Sequence, residues 1–473
     1  MKTAITILTV CLLAVSGFSQ TINFERDTIQ VLQNSDGGNV ASADIDLDGD
    51  TDLLITGTSP VTTTLYLNDG LGNFTSISQP AIVNVYSGAT EFADVDNDGD
   101  QDVLITGNTS SPIATANLYL NDGSGIFTLS STSSFEASFA GDIDFGDIDG
   151  DNDLDLIMTG INSMDESFVN LYSNNGSGVF SLVSGTSFTP VYLSSTEFID
   201  IDNDNDLDLL ICGEDTSNTP NTTLYLNDGS GIYTTAIGTP FTGARGDIAF
   251  SDTDNDGDQD ILITGINPNG QNIAEFYLNN GSSFSLIAST PFPGVSLHSS
   301  SFADFNNDGL IDLLHIGNAT GELIGHIYEN TGSNNFILVD STTIEGSYNG
   351  SNVVSDINGD DKLDIVTTGT SFIMPFRAPK IYLNESVILS VNENNDVENV
   401  LTIFPNPSNG LINIETDLKP FFDIEIYDFS GKQIFQSSYL EPIISIQLNI
   451  PSGIYLVHIS SDRKRYSRKL IVE

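Results

Sequence analysis

DVDNDGDQD, residues 94–102, places five aspartates in nine positions. Left unpaired, so many like charges in one turn repel one another and oppose folding, and a divalent cation would remove that cost. Side chains at positions 1, 3 and 5 of a tight turn can converge on one point. Position 7 can offer its carbonyl, and position 9 can close the shell with a carboxylate. Hard oxygen donors in that number suit calcium, whereas magnesium prefers a smaller octahedron that keeps its waters. In this stretch Asp94, Asp96, Asp98 and Asp102 are the expected side-chain ligands and Asp100 the carbonyl donor, with Gly99 supplying a turn conformation that a side chain resists.

The stretch recurs, and repeats decide a fold before any local signal does. There are seven copies, starting at Asp44, Asp94, Asp147, Asp200, Asp252, Asp304 and Asp356, so that successive starts lie 50, 53, 53, 52, 52 and 52 residues apart. The equivalent candidate ligands are Asp44, Asp46, Asp48, Asp50 and Asp52 in the first loop, and Asp147, Asp149, Asp151, Asp153 and Asp155 in the third. They are Asp200, Asp202, Asp204, Asp206 and Asp208 in the fourth, and Asp252, Asp254, Asp256, Asp258 and Asp260 in the fifth. In the sixth they are Asp304, Asn306, Asp308, Leu310 and Asp312, and in the seventh Asp356, Asn358, Asp360, Lys362 and Asp364. Up to seven calcium ions are expected, the last two held more weakly because Asn306 and Asn358 each replace a carboxylate. Asn152 and Asn205 stand where the other loops have glycine and tolerate a left-handed backbone, whereas Asp361 in the seventh loop tolerates it less well. None of the loops is an EF-hand, because position 12 is Ile55, Ile105, Met158, Ile211, Ile263, His315 or Thr367 and never glutamate.

Every loop is followed by an apolar run such as LLITG or VLITG, then by a second signature, as in LYLNDGSGIF from Leu118. The pattern is short and β-rich, bounded by Gly, Asn, Asp and Ser, with no 3.6-residue period. Four strands per repeat are expected: one entering the Asp loop, one leaving it, one on LYL and one from about Phe127. Four-stranded units at this spacing predict an all-β chain containing a seven-bladed β-propeller. The alternation of the D-x-D-x-D-G-x-x-D loop with DLLITG and LYLNDGxGxF resembles the FG-GAP/VCBS repeats of integrin-α-type propellers across residues 22 to 388. That resemblance implies one calcium ion in the loop between the first two strands of each blade. The seventh repeat stops at IYLNES (381–386) without a fourth strand, while Phe24 lies as far before Asp44 as Phe74 lies before Asp94. Residues 22–31 are therefore expected to pair with Ile381 to Leu383 and complete the last unit.

The ends of the chain read differently. Residues 1–20 carry Lys2, an apolar run from Ala4 to Val15 and a small-residue stretch, the pattern of a secretory signal peptide too short to span a bilayer. Residues 21–388 are expected to form the propeller, and 389–400 a polar linker. Residues 401–473 hold seven of the 13 basic side chains and alternate apolar and polar residues around Pro405-Asn406-Pro407, Ser430-Gly431-Lys432 and Pro451-Ser452-Gly453. This order is similar to the C-terminal sorting domain of type IX secretion cargo. The resemblance implies a small β-sandwich read by an outer-membrane translocon, and a protein secreted by, or held on the surface of, a Gram-negative bacterium.

A formal net charge of -52 argues against nucleic acid or anionic membrane as a partner, and the mature chain has no apolar run long enough to span a membrane. Cys212 remains alone after export, in the slot of Thr56 and Thr106, and is expected to be half-buried. Arg245-Gly246-Asp247 spells a cell-attachment tripeptide but aligns with a strand entrance. His298, His315, His326 and His458 form no HExxH motif or triad, and the recurring LYL tyrosines are read as packing. No catalytic constellation is visible, so a binding or adhesion module for a glycan or protein is the expected function. An extracellular polysaccharide lyase or hydrolase on the same scaffold, or a purely structural surface protein, are the alternatives. The loops 161–167, 213–221 and 266–272, between second and third strands, are the expected place for a ligand.

Overall fold

Each repeat folds as a four-stranded antiparallel meander. The computed structural model describes residues 22–386 and 401–472, apart from 31, 34, 112, 282, 298, 341–343 and 373–376 in the first range and 409, 417–421, 429–431, 441–442, 449, 452 and 462–463 in the second. The expected signal peptide, the linker and His298 lie outside the described residues. The chain divides into a unit of residues 22–386 and a separate one built from the C-terminal residues. All described regular structure is β-strand.

In the second repeat the strands are Thr90–Ala93, Asp102–Asn108, Ala114–Leu120 and Thr128–Leu129, paired in that order. The second strand, DVLITGN, is buried throughout, because sheets cover both its faces. Its equivalents behave alike, which accounts for the continuous apolar runs after each Asp loop. Repeats three and four join into one eight-stranded sheet through the single pair Phe168–Val191. The core lies between neighbouring sheets: Ile45, Leu54 and Leu65 of the first repeat pack with Val103, Ile105 and Tyr119 of the second.

The last repeat supplies Asn352–Ser355, Asp364–Thr367 and Lys380–Asn384, and its fourth strand is Phe24–Arg26 from the other end of the unit. The register is Phe24 with Asn384, Glu25 with Leu383 and Arg26 with Tyr382, as the 20-residue offset predicts. Ile22 and Phe24 are buried against Phe305, Ile327 and Tyr382. First strands of successive repeats lie side by side in chain order, and that of the seventh lies beside that of the first.

A relay of asparagines follows the same order. The side-chain amide of Asn121 donates to the Ile45 carbonyl at 2.8 Å, reaching from the second repeat into the Asp loop of the first. Asn174 reaches Val95, Asn227 reaches Ile148, Asn279 reaches Ile201, Asn330 reaches Thr253 and Asn384 reaches Phe305, each at 2.8 Å. Asn68 of the first repeat completes the series on Ile357 of the seventh. These asparagines are buried, so each bond satisfies a loop carbonyl that water does not reach.

The C-terminal unit has a three-stranded sheet (Leu401–Phe404, Leu411–Thr416, Ile443–Gln447) and a four-stranded one (Gln433–Tyr439, Phe422–Asp428, Gly453–Ser461, Lys464–Val472). Ile412 and Ile414 of the first sheet share a core with Ile424, Ile426, Val457 and Ile459 of the second. Alternation along LINIET, with Ile412 and Ile414 inward, gives each sheet one apolar face to bury.

Candidate metal centre

The Asp loops share one backbone. Position 6 takes a positive φ in all seven: Gly49, Gly99, Asn152, Asn205, Gly257, Gly309 and also Asp361, at 64°. Position 4 does the same, at Leu47, Asn97, Gly150, Asn203, Asn255, Asn307 and Gly359, a requirement that the glycine pattern at position 6 does not announce. The carboxylate at position 1 holds the turn by accepting backbone N–H groups; in the second loop Asp94 takes those of Asp98 and Gly99 at 3.1 and 3.0 Å.

Position 9 does more than close a ligand shell. Asp102 is buried and accepts the N–H of Asn121 through Oδ1 and that of Val95 through Oδ2. Asp52, Asp155, Asp208, Asp260, Asp312 and Asp364 make the equivalent bonds. Each therefore ties its loop to the end of the third strand. Burial is the main cause that pushes Asp102 up to about 7, against the lowering effect of those N–H groups.

Three carboxylates converge in each of the first five loops, with oxygens within 4.8 Å of one another. They come from Asp44, Asp46 and Asp48; Asp94, Asp96 and Asp102; Asp147, Asp149 and Asp155; Asp200, Asp202 and Asp204; and Asp252, Asp254 and Asp256. Position 3 belongs to every group, and Asp46, Asp96 and Asp254 each keep a buried Oδ1 without a hydrogen-bond partner. Burial first, then the neighbouring carboxylates, raises the pKa of Asp46, Asp96, Asp149, Asp202 and Asp254. Such oxygens are costly unless something positive faces them, and the donor set fits a hard divalent cation. Among the described residues no such group forms in the last two loops. There the Asn306 amide donates to Asp308, and Lys362 Nζ lies 3.3 Å from Asp360. Neighbouring loops touch: Asn97 donates to Asp153 at 2.9 Å, and Asn203 to Asp258 at 2.5 Å.

At the opposite end of the sheets a cavity of about 410 Å³ is lined by residues of all seven repeats, among them Asn39, Asp142, Arg245, Asp247, Ser299 and Ser351. Ser195, Asp247 and Ser351 each accept a first-strand N–H of the next repeat, of Ile248, Ser300 and Val40. Asp142, which accepts from Thr196, belongs to the same pattern. Further along the strands lie Glu91, Asp144 and Glu197. Burial chiefly raises Asp142 to about 6, Asp144 to about 7 and Asp247 to about 8, and lifts Glu91 and Glu197 well above their ordinary range. The folded state binds more protons than the unfolded one, so this contribution to stability is present below about pH 4 and lost as pH rises through 6 to 8. The double variant Glu91→Gln/Glu197→Gln should therefore melt several degrees higher than the unsubstituted protein at pH 8 and no higher at pH 4. Equal shifts at both pH values would show that burial does not raise these two carboxyls above their unfolded range.

The remaining sequence candidates fall into place as parts of the fold. Arg245 pairs with Glu214 at 2.6 Å, and a Cβ on Gly246 would meet Thr264 O at 2.0 Å, so this tripeptide is strand packing and not an exposed loop. Cys212 is fully buried, not half-buried, because repeats cover both faces of its strand, and its thiol is pushed up to about 12 by burial. His315 is buried between Ser300 and the Pro293 carbonyl, and burial lowers it to about 4. Tyr119, Tyr172, Tyr225 and Tyr277 accept backbone N–H bonds from the segments linking repeats. The loops 161–167, 213–221 and 266–272 are closed by Asn162, Asp215 and Asn267, each accepting N–H groups two and four residues ahead. The first of them borders a pocket of about 340 Å³ with Asn108, Ile113 and Phe139.

The fold and the loops together define a β-repeat protein with acidic turns and a separate β-sheet tail. Residues 44–105, 94–158, 200–263 and 252–315 match the FG-GAP-like repeat family, and residues 402–473 match the secretion system C-terminal sorting domain. The chain is thus cargo of the type IX secretion system, an extracellular or cell-surface protein. No helix among the described residues is long and apolar enough to cross a membrane. No curated protein matches the chain. Among solved structures, a fungal alcohol oxidase of the AA5 family in complex with copper is 12% identical, with 95% of this chain and 99% of that one covered, at a TM-score of 0.49. A Bacillus licheniformis rhamnogalacturonan lyase is 9% identical, with 94% and 90% covered, at 0.34.

Proposed function

We propose that residues 22–386 form a seven-bladed β-propeller that holds calcium in its Asp loops and serves as a binding or adhesion module outside the cell. The observation that carries the calcium reading is the buried, unpartnered oxygen at position 3 of three loops, each facing two further carboxylates. With the sheets held from the Asp-loop end, the opposite end offers a rigid face, the 410 Å³ cavity and the pocket beside loop 161–167. A glycan or exposed protein segment is the ligand class such a face accommodates. Probing a glycan array with the mature propeller, with calcium and with chelator, tests the reading; calcium-dependent retention on a defined glycan class supports it. Retention on no glycan and on no extracellular protein of the producing cell would overturn it.

The enzyme alternative needs basic or aromatic groups free to act. All five basic residues of 22–386, namely Arg26, Arg245, Lys362, Arg377 and Lys380, lie in ion pairs with carboxylates. That commitment favours binding over catalysis. Deleting residues 401–473 should leave the propeller folded and cation-binding but retained inside the cell, because the two units have separate cores. Loss of cation binding on truncation would show instead that they fold as one.

A further inference from the structure

We propose that Lys362 is a built-in cation: its ammonium does in the seventh Asp loop what a metal ion does in the first five, so that the unit joining the two ends of the propeller stays closed when metal is withdrawn. The inference rests on the calcium reading for the first five loops.

The seventh loop keeps the common backbone. Asp356 accepts the N–H groups of Gly359, Asp360 and Asp361, and Asp360 Oδ1 accepts that of Lys362 at 3.1 Å, as Asp98 accepts that of Asp100 in the second loop. Asp364 binds the Ile357 and Asn384 N–H groups like every other position 9. What changes is charge. At position 7 the first five loops have Asp50, Asp100, Asp153, Asp206 and Asp258; the seventh has lysine. The Lys362 side chain is only 16% exposed and folds back over its own loop. Its Nζ lies 3.3 Å from Asp360 Oδ2 and donates to the Asn384 carbonyl at 3.1 Å. One ammonium thus faces a carboxylate of the ligand set and bonds the end of the strand that receives residues 24–26. A divalent ion at the same place would be repelled by it.

The position of the other bases agrees. Arg26 and Lys380 both pair with Glu345, and Arg377 pairs with Asp36 at 3.3 Å. Four of the five basic residues of 22–386 therefore belong to the last repeat, counting the strand Phe24–Arg26 that completes it, and charge balance there comes from side chains. Withdrawing metal should then loosen the first five repeats and spare the junction.

The test compares the mature protein with Lys362→Asp and Lys362→Gln by calcium titration calorimetry and by hydrogen exchange with and without chelator. Lys362→Asp should bind one more calcium than the unsubstituted protein, and its residues 352–367 should exchange about tenfold faster in chelator and recover with calcium. The unsubstituted protein should keep its protection there in chelator while residues 90–108 lose theirs. An unchanged calcium count in Lys362→Asp, or loss of protection at 352–367 in the unsubstituted protein, overturns the proposal. Lys362→Gln, which only removes the charge, should also exchange faster at 352–367 in chelator, and unchanged exchange there counts against it. A protein that binds no calcium at all defeats the calcium reading itself, whereas binding in the first five loops without a gain in Lys362→Asp defeats only the role of Lys362.

Discussion

Chelating calcium should lower the melting temperature of the mature protein by on the order of 10 °C or more, and calcium should restore it better than magnesium. Five loops gather three carboxylates each, and burial together with mutual repulsion already raises the position 3 groups in the bare fold. A ligand that binds only the folded state adds about 2.7 kcal/mol per site at a hundredfold excess over its dissociation constant. Even two or three filled loops would then exceed the effect of most single substitutions. The sign reverses with Asp96→Asn. In chelator this variant should melt higher than the unsubstituted protein, because it removes a charge from a crowded, half-buried group. In calcium it should melt lower, because it removes a ligand. A melting curve indifferent to chelator would end the calcium reading.

Phe24→Ala should cost about 3–5 kcal/mol, the usual range for a buried phenylalanine. Phe24 is 2% exposed and packs edge-on against Phe305, with ring centroids 5.5 Å apart, so truncation opens a cavity between the sixth and seventh repeats. Deleting residues 22–30 should do more. It removes the fourth strand of the last repeat, exposes the edge of Lys380–Asn384 and breaks the Arg26–Glu345 pair, leaving Glu345 with Lys380 alone. A bare strand edge recruits other strands, so self-association should accompany the loss of stability. Denaturant midpoints and sedimentation read both effects. A change below about 1 kcal/mol for Phe24→Ala would mean that this strand does not hold the last repeat together.

The sequence by itself determined whatever depends on chain neighbours. Short apolar runs, a spacing of 50 to 53 residues and the turn residues specified four strands per repeat, and the offset of Phe24 from Asp44 specified which strand completes the last one. The tail showed the same legibility, because LINIET and its neighbours carry their burial pattern in their own alternation. That no three-carboxylate group forms in the last two loops among the described residues goes with the asparagines at position 3, Asn306 and Asn358.

Other features appear only when segments apart in the chain are packed together, within a repeat or between repeats. Asn121 looks like a turn residue until its amide is seen on Ile45 of the preceding repeat. Asp102 reads as a ligand and nothing more until its two oxygens are also found on two backbone N–H groups, a duty that Asp312 and Asp364 keep in loops where no three-carboxylate group forms among the described residues. Lys362 reads as a carbonyl donor until its ammonium is seen on the Asn384 carbonyl, at the end of another strand. Glu91, Asp144 and Glu197 look like exposed charges on short strands until first strands are set side by side. The physical reason is common to all of them. Strand and turn preferences act over a few bonds and leave their trace in local order, whereas burial, the partner of a side-chain amide and the sum of nearby charges depend on which distant segments the packed core brings within a few ångströms.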